Sequence, residues 1–140
     1  MRRDWNRRAR ENARHYVVTG QHQWTDEEFF QSGQITLEEE ILNDLPNVCQ
    51  GRDPKDMRVL EIGCGAGRVT RAFAGFFGEV YAVDISREMV RQAREAVAEF
   101  PNAHVIRKVL AVDHDPQRGR LYHHVASHQN GIGDRAAAFA

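Results

Sequence analysis

Apolar positions recur at helical spacing through the first part of the chain and then gather into short continuous runs. Trp5, Ala9, Ala13 and Tyr16 or Val17 share one face of a helix over residues 5–18. Thr25-Asp26-Glu27-Glu28 has the form of a capping box, in which a hydroxyl and a carboxylate satisfy two free backbone N–H groups. It predicts a short helix carrying Phe29 and Phe30 and stopping near Gly33. Thr36-Leu37-Glu38-Glu39 repeats the form and predicts a second helix with Leu37, Ile41 and Leu45, stopped by Pro46. Residues 51–55 are rich in turn formers, and the run 58–62 reads as a buried strand. A helix over 66–77 then buries Val69, Phe73 and Phe76 or Phe77, and Gly78 ends it. Residues 79–84 form a second strand. Ser86 caps a helix reaching Phe100 with the inner stripe Met89, Ala93, Val97 and Phe100, and Pro101-Asn102 turns the chain into a third strand at 103–107. A β-α-β-α-β order calls for an α/β fold: a parallel sheet with right-handed crossovers and flanking helices.

The chemistry concentrates where the first strand ends. Val59-Leu60-Glu61-Ile62 delivers the chain into Gly63-Cys64-Gly65-Ala66-Gly67, and Val80-Tyr81-Ala82-Val83 ends in Asp84. Glycines there let the backbone come close to a ligand, and a carboxylate at the next strand's tip can accept two hydrogen bonds from a ribose diol. The pattern is an adenosine-ligand site; the plain alternative is a glycine-rich turn with no ligand. A dinucleotide fingerprint spaces its glycines G-x-G-x-x-G, whereas this chain reads G-x-G-x-G with Arg68 next. Glu61, two residues before the first glycine, would repel a pyrophosphate and attract an ammonium group.

Glu61, Gly63, Gly65, Gly67 and Asp84 together resemble motif I and the acidic second-strand end of the class I S-adenosylmethionine-dependent methyltransferases. The resemblance implies a Rossmann-like fold, an S-adenosyl-L-methionine cofactor and an enzyme that transfers a methyl group to a small-molecule acceptor. It implies that Glu61 lies near the methionine ammonium through water, that the backbone of Gly63, Cys64, Gly65 and Gly67 packs on the methionine part, that Asp84 holds the ribose hydroxyls and that Ile85 flanks the adenine. It implies no catalytic residue at a named position, because substrate-side groups in the family come from later loops and from the N-terminal segments. The alternative functions are a non-catalytic module that keeps the cofactor site and, with less support from the spacing, an NAD-binding oxidoreductase domain.

Composition narrows the partners. The 140 residues fit one domain, with 41% apolar and 28% charged residues and a net charge of −1. Arg2, Arg3, Arg7, Arg8, Arg10 and Arg14 crowd the first fourteen residues against Asp4 and Glu11, which reads as a solvated helix face rather than a patch for an acidic partner. Near-neutral charge without interleaved aromatic and basic residues argues against nucleic acid. There is no apolar leader and no run long enough for a membrane, and Cys49 and Cys64 make no disulfide framework, so a reducing cytoplasm is expected. Cys64 has no base near it in sequence, and the i, i+4 pair His124 and His128 lacks a third ligand, so neither a nucleophile nor a metal site is assigned.

Three segments follow: an N-terminal helical arm or lid at 1–46, with Trp5, Tyr16, Trp24, Phe29 and Phe30 as covering material; a cofactor-binding core at 57–107; and an atypical tail at 108–140. Val109–Val112 reads as a continuation of the third strand or a short strand of its own, residues 113–119 as a turn, and 121–126 as the one fourth-strand candidate. The fold is therefore expected to break off after strand three or four. Loss of periodicity near 107 and the cluster His114, His123, His124 and His128 favour out-of-frame translation of a longer enzyme. The other reading is a short protein whose open first-strand edge pairs with a second copy as a homodimer.

Overall fold

The computed structural model describes residues 2–18, 23–114 and 121–126. The chain divides into two compact units, Met1–Arg107 and Lys108–Ala140. The first begins with helix α1 (Arg2–Val17), which breaks at Asn12 (φ −166°, ψ 85°), whose side-chain oxygen accepts from the His15 N–H. Helix α2 (Asp26–Thr36) follows, then a wide turn at Leu37–Ile41, a tight one at Leu42–Asp44, and the short α3 (Leu45–Cys49). Strand β1 (Arg58–Ile62), helix α4 (Arg68–Phe76), strand β2 (Glu79–Asp84), helix α5 (Arg87–Ala96) and strand β3 (Ala103–Arg107) complete it.

The sheet is parallel in the order β1-β2-β3, with Glu61 opposite Ala82 and Ala82 opposite Val105. Side chains alternate across a strand, so Val59, Glu61, Val80, Ala82, Asp84, Ala103 and Val105 share one face. That face carries the core. Ala72, Ala74, Phe77 and Val80 pack with Leu37 and Cys49, while Ala82 and Val105 pack with Cys64, Val90, Ala93 and Val97. A third cluster joins Ala9 and Ala13 of α1, Phe29 of α2, Ala66 of the loop and Met89 of α5, with Trp5, Val17, Trp24 and Phe30 around it. On the opposite face Leu60 and Ile62 stand 61% and 65% exposed.

The capping box at Thr25 forms as expected: Thr25 Oγ1 accepts from Glu28 N at 3.2 Å and Glu28 Oε2 accepts from Thr25 N at 3.0 Å. Gly33 does not stop that helix. It is buried within α2 where the helix crosses the start of α4, and any Cβ there would strike the Arg68 carbonyl. Thr36 is likewise no cap; its hydroxyl donates back to Ser32 O at 3.1 Å. Pro46 sits in the first turn of α3 rather than ending a helix, as its missing N–H allows. Helix α4 starts at Arg68, later than the sequence reading, because Gly67 is left-handed (φ +86°). Its buried residues are Thr70, Ala72 and Ala74; Val69, Phe73 and Phe76 are half-buried and Phe77 is buried just past its end. Helix α5 closes at Ala96, short of Phe100, with Val97 as its C-cap.

The second unit holds β4 (Val109–His114) and β5 (Leu121–Ala126), an antiparallel pair forming a separate two-stranded sheet. Residues 109–114 therefore neither prolong β3 nor turn at Asp113, and 121–126 adds no fourth strand to the parallel sheet. His124 lies on a strand rather than a helix, and His128 lies outside the described residues.

Candidate functional site

Strand β1 opens into a loop whose three glycines all have positive φ: Gly63 (+79°), Gly65 (+53°) and Gly67 (+86°). Two are also boxed in. A Cβ on Gly65 would lie 2.7 Å from Val17 Cγ2, and one on Gly67 would lie 3.0 Å from Ala93 Cα. Gly65 thus lets α1 cover the loop, and Gly67 lets α4 start against α5. At Gly63 a Cβ would meet nothing within 4 Å, which makes it the open side of the loop.

Four of the loop's five amides are already in use. Gly63 N and Cys64 N donate to Val83 O at 2.8 and 3.1 Å, and Gly67 N donates to Cys64 O at 3.0 Å. Gly65 N donates to Asp84 Oδ2 at 3.0 Å. A pyrophosphate needs free N–H groups at such a turn. This loop keeps only Ala66 N unspent, and two acidic side chains, Glu61 and Asp84, stand beside it.

Two acids flank it on one face of the sheet. Asp84 closes β2, and its Oδ1 accepts from Ser86 N at 2.7 Å, so the carboxylate ties the glycine loop to the start of α5. Each oxygen keeps a second lone pair, enough for two hydroxyl donors. Ile85 follows, half-buried. Glu61 Oε2 accepts from Thr70 Oγ1 at 2.6 Å, and Oε1 makes no hydrogen bond among the described residues. Burial raises the Glu61 pKa above the usual carboxylate value, the Thr70 bond and the Arg68 charge oppose that rise, and Asp84 adds to it. The Cys64 thiol is buried and is pushed up to about 12 by burial, with the Glu61 and Asp84 charges adding to it. At neutral pH it is a thiol, not a nucleophile.

Three further residues shape the site. Thr70, fully buried, orients Glu61. Asn6 of α1 accepts from Ser86 Oγ at 2.8 Å and so straps α1 across the β2–α5 turn. Arg68 reaches from the loop's end to α2, donating through Nη1 to Ser32 O at 2.8 Å and Thr36 Oγ1 at 2.9 Å. Arg68 Nε and Trp24 Nε1 are buried N–H donors without a partner among the described residues. Thr70 had a signal in the sequence, as the polar residue on the inward face of α4. Asn6 and Arg68 had none, since their partners lie 80 and 32–36 residues away. No His, Cys, Asp and Glu grouping among the described residues could hold a metal ion, and no helix among them is long and apolar enough to cross a membrane.

The model of a family described as a methyltransferase domain matches residues 59–134, running on past Arg107 into the second unit. Among solved structures, the chain is similar to Haemonchus contortus phosphoethanolamine N-methyltransferase 1, in complex with phosphoethanolamine and S-adenosylhomocysteine. That likeness has 20% identity and a TM-score of 0.54, over 74% of this chain and 20% of that one. The magnesium protoporphyrin IX methyltransferase ChlM of Synechocystis, with bound S-adenosylhomocysteine, is 23% identical with a TM-score of 0.50 over 77% and 49% of the two chains. The N-methyltransferase NodS of Bradyrhizobium japonicum, in complex with S-adenosyl-L-homocysteine, is 14% identical with a TM-score of 0.50 over 75% and 45%. These likenesses are of fold, and this chain spans from a fifth to about half of those proteins' lengths. Among curated proteins none matches.

Proposed function

The chain belongs to the methyltransferase-domain family, and from that premise we propose that it binds S-adenosyl-L-methionine at the β1–α4 loop and takes part in methyl transfer to a small-molecule acceptor. The observation that carries this reading is the state of the loop: four of its five amides are spent internally, while Glu61 keeps an oxygen without a hydrogen bond among the described residues and Asp84 keeps accepting capacity. Such a site suits a ligand with an ammonium group and a ribose diol, and it disfavours the pyrophosphate of NAD. In this reading Glu61 faces the ammonium, Gly63, Cys64, Gly65 and Gly67 offer backbone to the methionine chain, Asp84 takes the ribose hydroxyls and Ile85 borders the adenine. The cofactor supplies a methyl already activated on sulfur. What the protein adds is position and exclusion of water. Helices α1 and α2 serve as the lid: Val17 lies on Gly65, and Trp24, Phe29 and Phe30 pack around Ala66.

The acceptor class is tested by turnover. Incubation with S-adenosylmethionine and a panel of small amines, carboxylates and phenols should release S-adenosylhomocysteine with at least one acceptor. Cofactor binding with no product from any acceptor would favour the second reading, a binding module without catalysis. Self-association at the sheet edge belongs to the same reading, because β1 is an edge strand and itself carries the exposed Leu60 and Ile62. Light scattering should give twice the monomer mass, and Leu60→Lys should return it to one. A monomer at all concentrations would remove the homodimer.

A further inference from the structure

Helix α1 carries an arginine-rich face that the sequence reads as simply solvated, yet part of that face walls a cleft. Arg3, Asn6, Arg7, Arg10 and Glu11 line a cavity of about 460 Å³, within the size range of small-molecule sites. Arg8 and Arg14 of the same helix are spent elsewhere. Arg8 pairs with Asp4 at 3.0 Å and lies over the Trp5 and Tyr16 rings, while Arg14 donates to Trp24 O at 3.0 Å and pairs with Asp26. In the cleft, Arg7 is held by Asp4 at 2.8 Å. Arg3 and Arg10 are exposed and make no ion pair or side-chain hydrogen bond among the described residues. Glu88 of α5 feels Arg10 only at longer range and gives its carboxylate to Arg91 at 2.6 Å.

Asn6 adds a neutral donor. Its Oδ1 accepts from Ser86 Oγ at 2.8 Å and from Glu88 N at 3.4 Å, which ties the cleft to the β2–α5 turn. Its Nδ2 keeps two N–H groups without a partner among the described residues. The one acid in the lining, Glu11, already accepts from the Tyr16 hydroxyl at 3.3 Å. Donors gathered in one cleft with so little acceptor suit an oxyanion, and guanidinium forks match phosphate oxygens two at a time. We propose that this cleft is a binding site for a small phosphorylated molecule, held by Arg3 and Arg10 with the Asn6 amide as a further donor. The occupant is a second molecule and not the methyl donor. The donor's one carboxylate shares a carbon with its ammonium group, which belongs at Glu61, whereas the cleft is tied to the β2–α5 turn. A long polyanion fits less well, because Asp4 and Glu11 interrupt the arginines.

The test is calorimetric titration of the full chain with inorganic phosphate at constant ionic strength, with acetate as a singly charged control. Phosphate should bind saturably and more tightly than acetate. Combining Arg3→Gln with Arg10→Gln should weaken phosphate by about tenfold or more, since charge-assisted hydrogen bonds are lost. Both side chains are exposed, so the fold should survive, as circular dichroism would verify. Combining Arg52→Gln with Arg58→Gln removes two exposed charges outside the cleft and should leave phosphate binding unchanged. Glu11→Gln removes the one acid and should tighten phosphate. No saturable phosphate binding overturns the proposal, and so does an equal loss in the two double variants, which would mean attraction by net charge alone. A short single-stranded oligonucleotide that binds more tightly than phosphate, and is released by the Arg3 and Arg10 substitutions, would make the occupant a nucleic acid and overturn it too. Titration with S-adenosylhomocysteine is read separately, so failure of the phosphate site leaves the cofactor reading standing, and the reverse holds equally.

Discussion

Glu61 sits in a place chosen against stability. Its folded pKa lies above the ordinary carboxylate value, with burial as the main cause. The sign follows from linkage: such a group favours folding below its unfolded pKa, and that contribution is lost as pH rises through the elevated folded value. The ionised form of Glu61 is therefore a strain on the ligand-free fold. Glu61→Gln should raise the melting temperature at pH 7, flatten the pH dependence in the mildly acidic range and weaken S-adenosylhomocysteine binding. A lower melting temperature at pH 7 would contradict this account of the acid. Asp84 plays the opposite part, since it braces Gly65 N and Ser86 N. Asp84→Ala should cost about 1–3 kcal/mol in stability and at least as much in cofactor affinity, because charge-assisted hydrogen bonds are lost and two N–H donors are left unpaired; denaturant titration and calorimetry read the two effects separately. Cys64 should resist iodoacetamide at pH 8 until the chain unfolds, as a thiol held near 12 requires. Both acids were legible in the sequence because each closes or nearly closes an apolar run. The use of the Gly63, Cys64 and Gly65 amides was not, since their acceptors on Val83 and Asp84 come from the next strand.

At the scale of elements, the strands and their order were readable and the boundaries of helices were less so. Short, mostly apolar runs separated by amphipathic stretches left little choice about β1, β2 and β3. Gly33 shows where local reading fails. In isolation a glycine after an aromatic pair looks like a helix end, yet here it marks the point where α2 crosses α4. Gly33→Ala should destabilise the fold by roughly 1–3 kcal/mol through overpacking, even though alanine is the better helix former. A neutral or stabilising result in a denaturant titration would mean that the helices do not meet as closely as described. Thr36 and Pro46 misled for a related reason. Each carries a local signal for a helix boundary, and the packing of Leu37 into the core beside Cys49 overrides it.

For the molecule as a whole, one face of the parallel sheet is packed by α4 and α5 while the other leaves Leu60 and Ile62 exposed, and β1 lies at the sheet's edge. The sequence pattern anticipated that open edge. It did not anticipate the antiparallel pair β4–β5, because a short apolar run does not say which strand it will join. The family match running to residue 134 also carries the resemblance beyond the point where periodicity fades. What unites the scales is a tight glycine loop flanked by two acids. Calorimetric titration of the full chain with S-adenosylhomocysteine, and in parallel with NAD, tests that most directly. Saturable binding of S-adenosylhomocysteine with no heat from NAD is the expected result; preference for NAD, or a folded chain that binds neither, would contradict it.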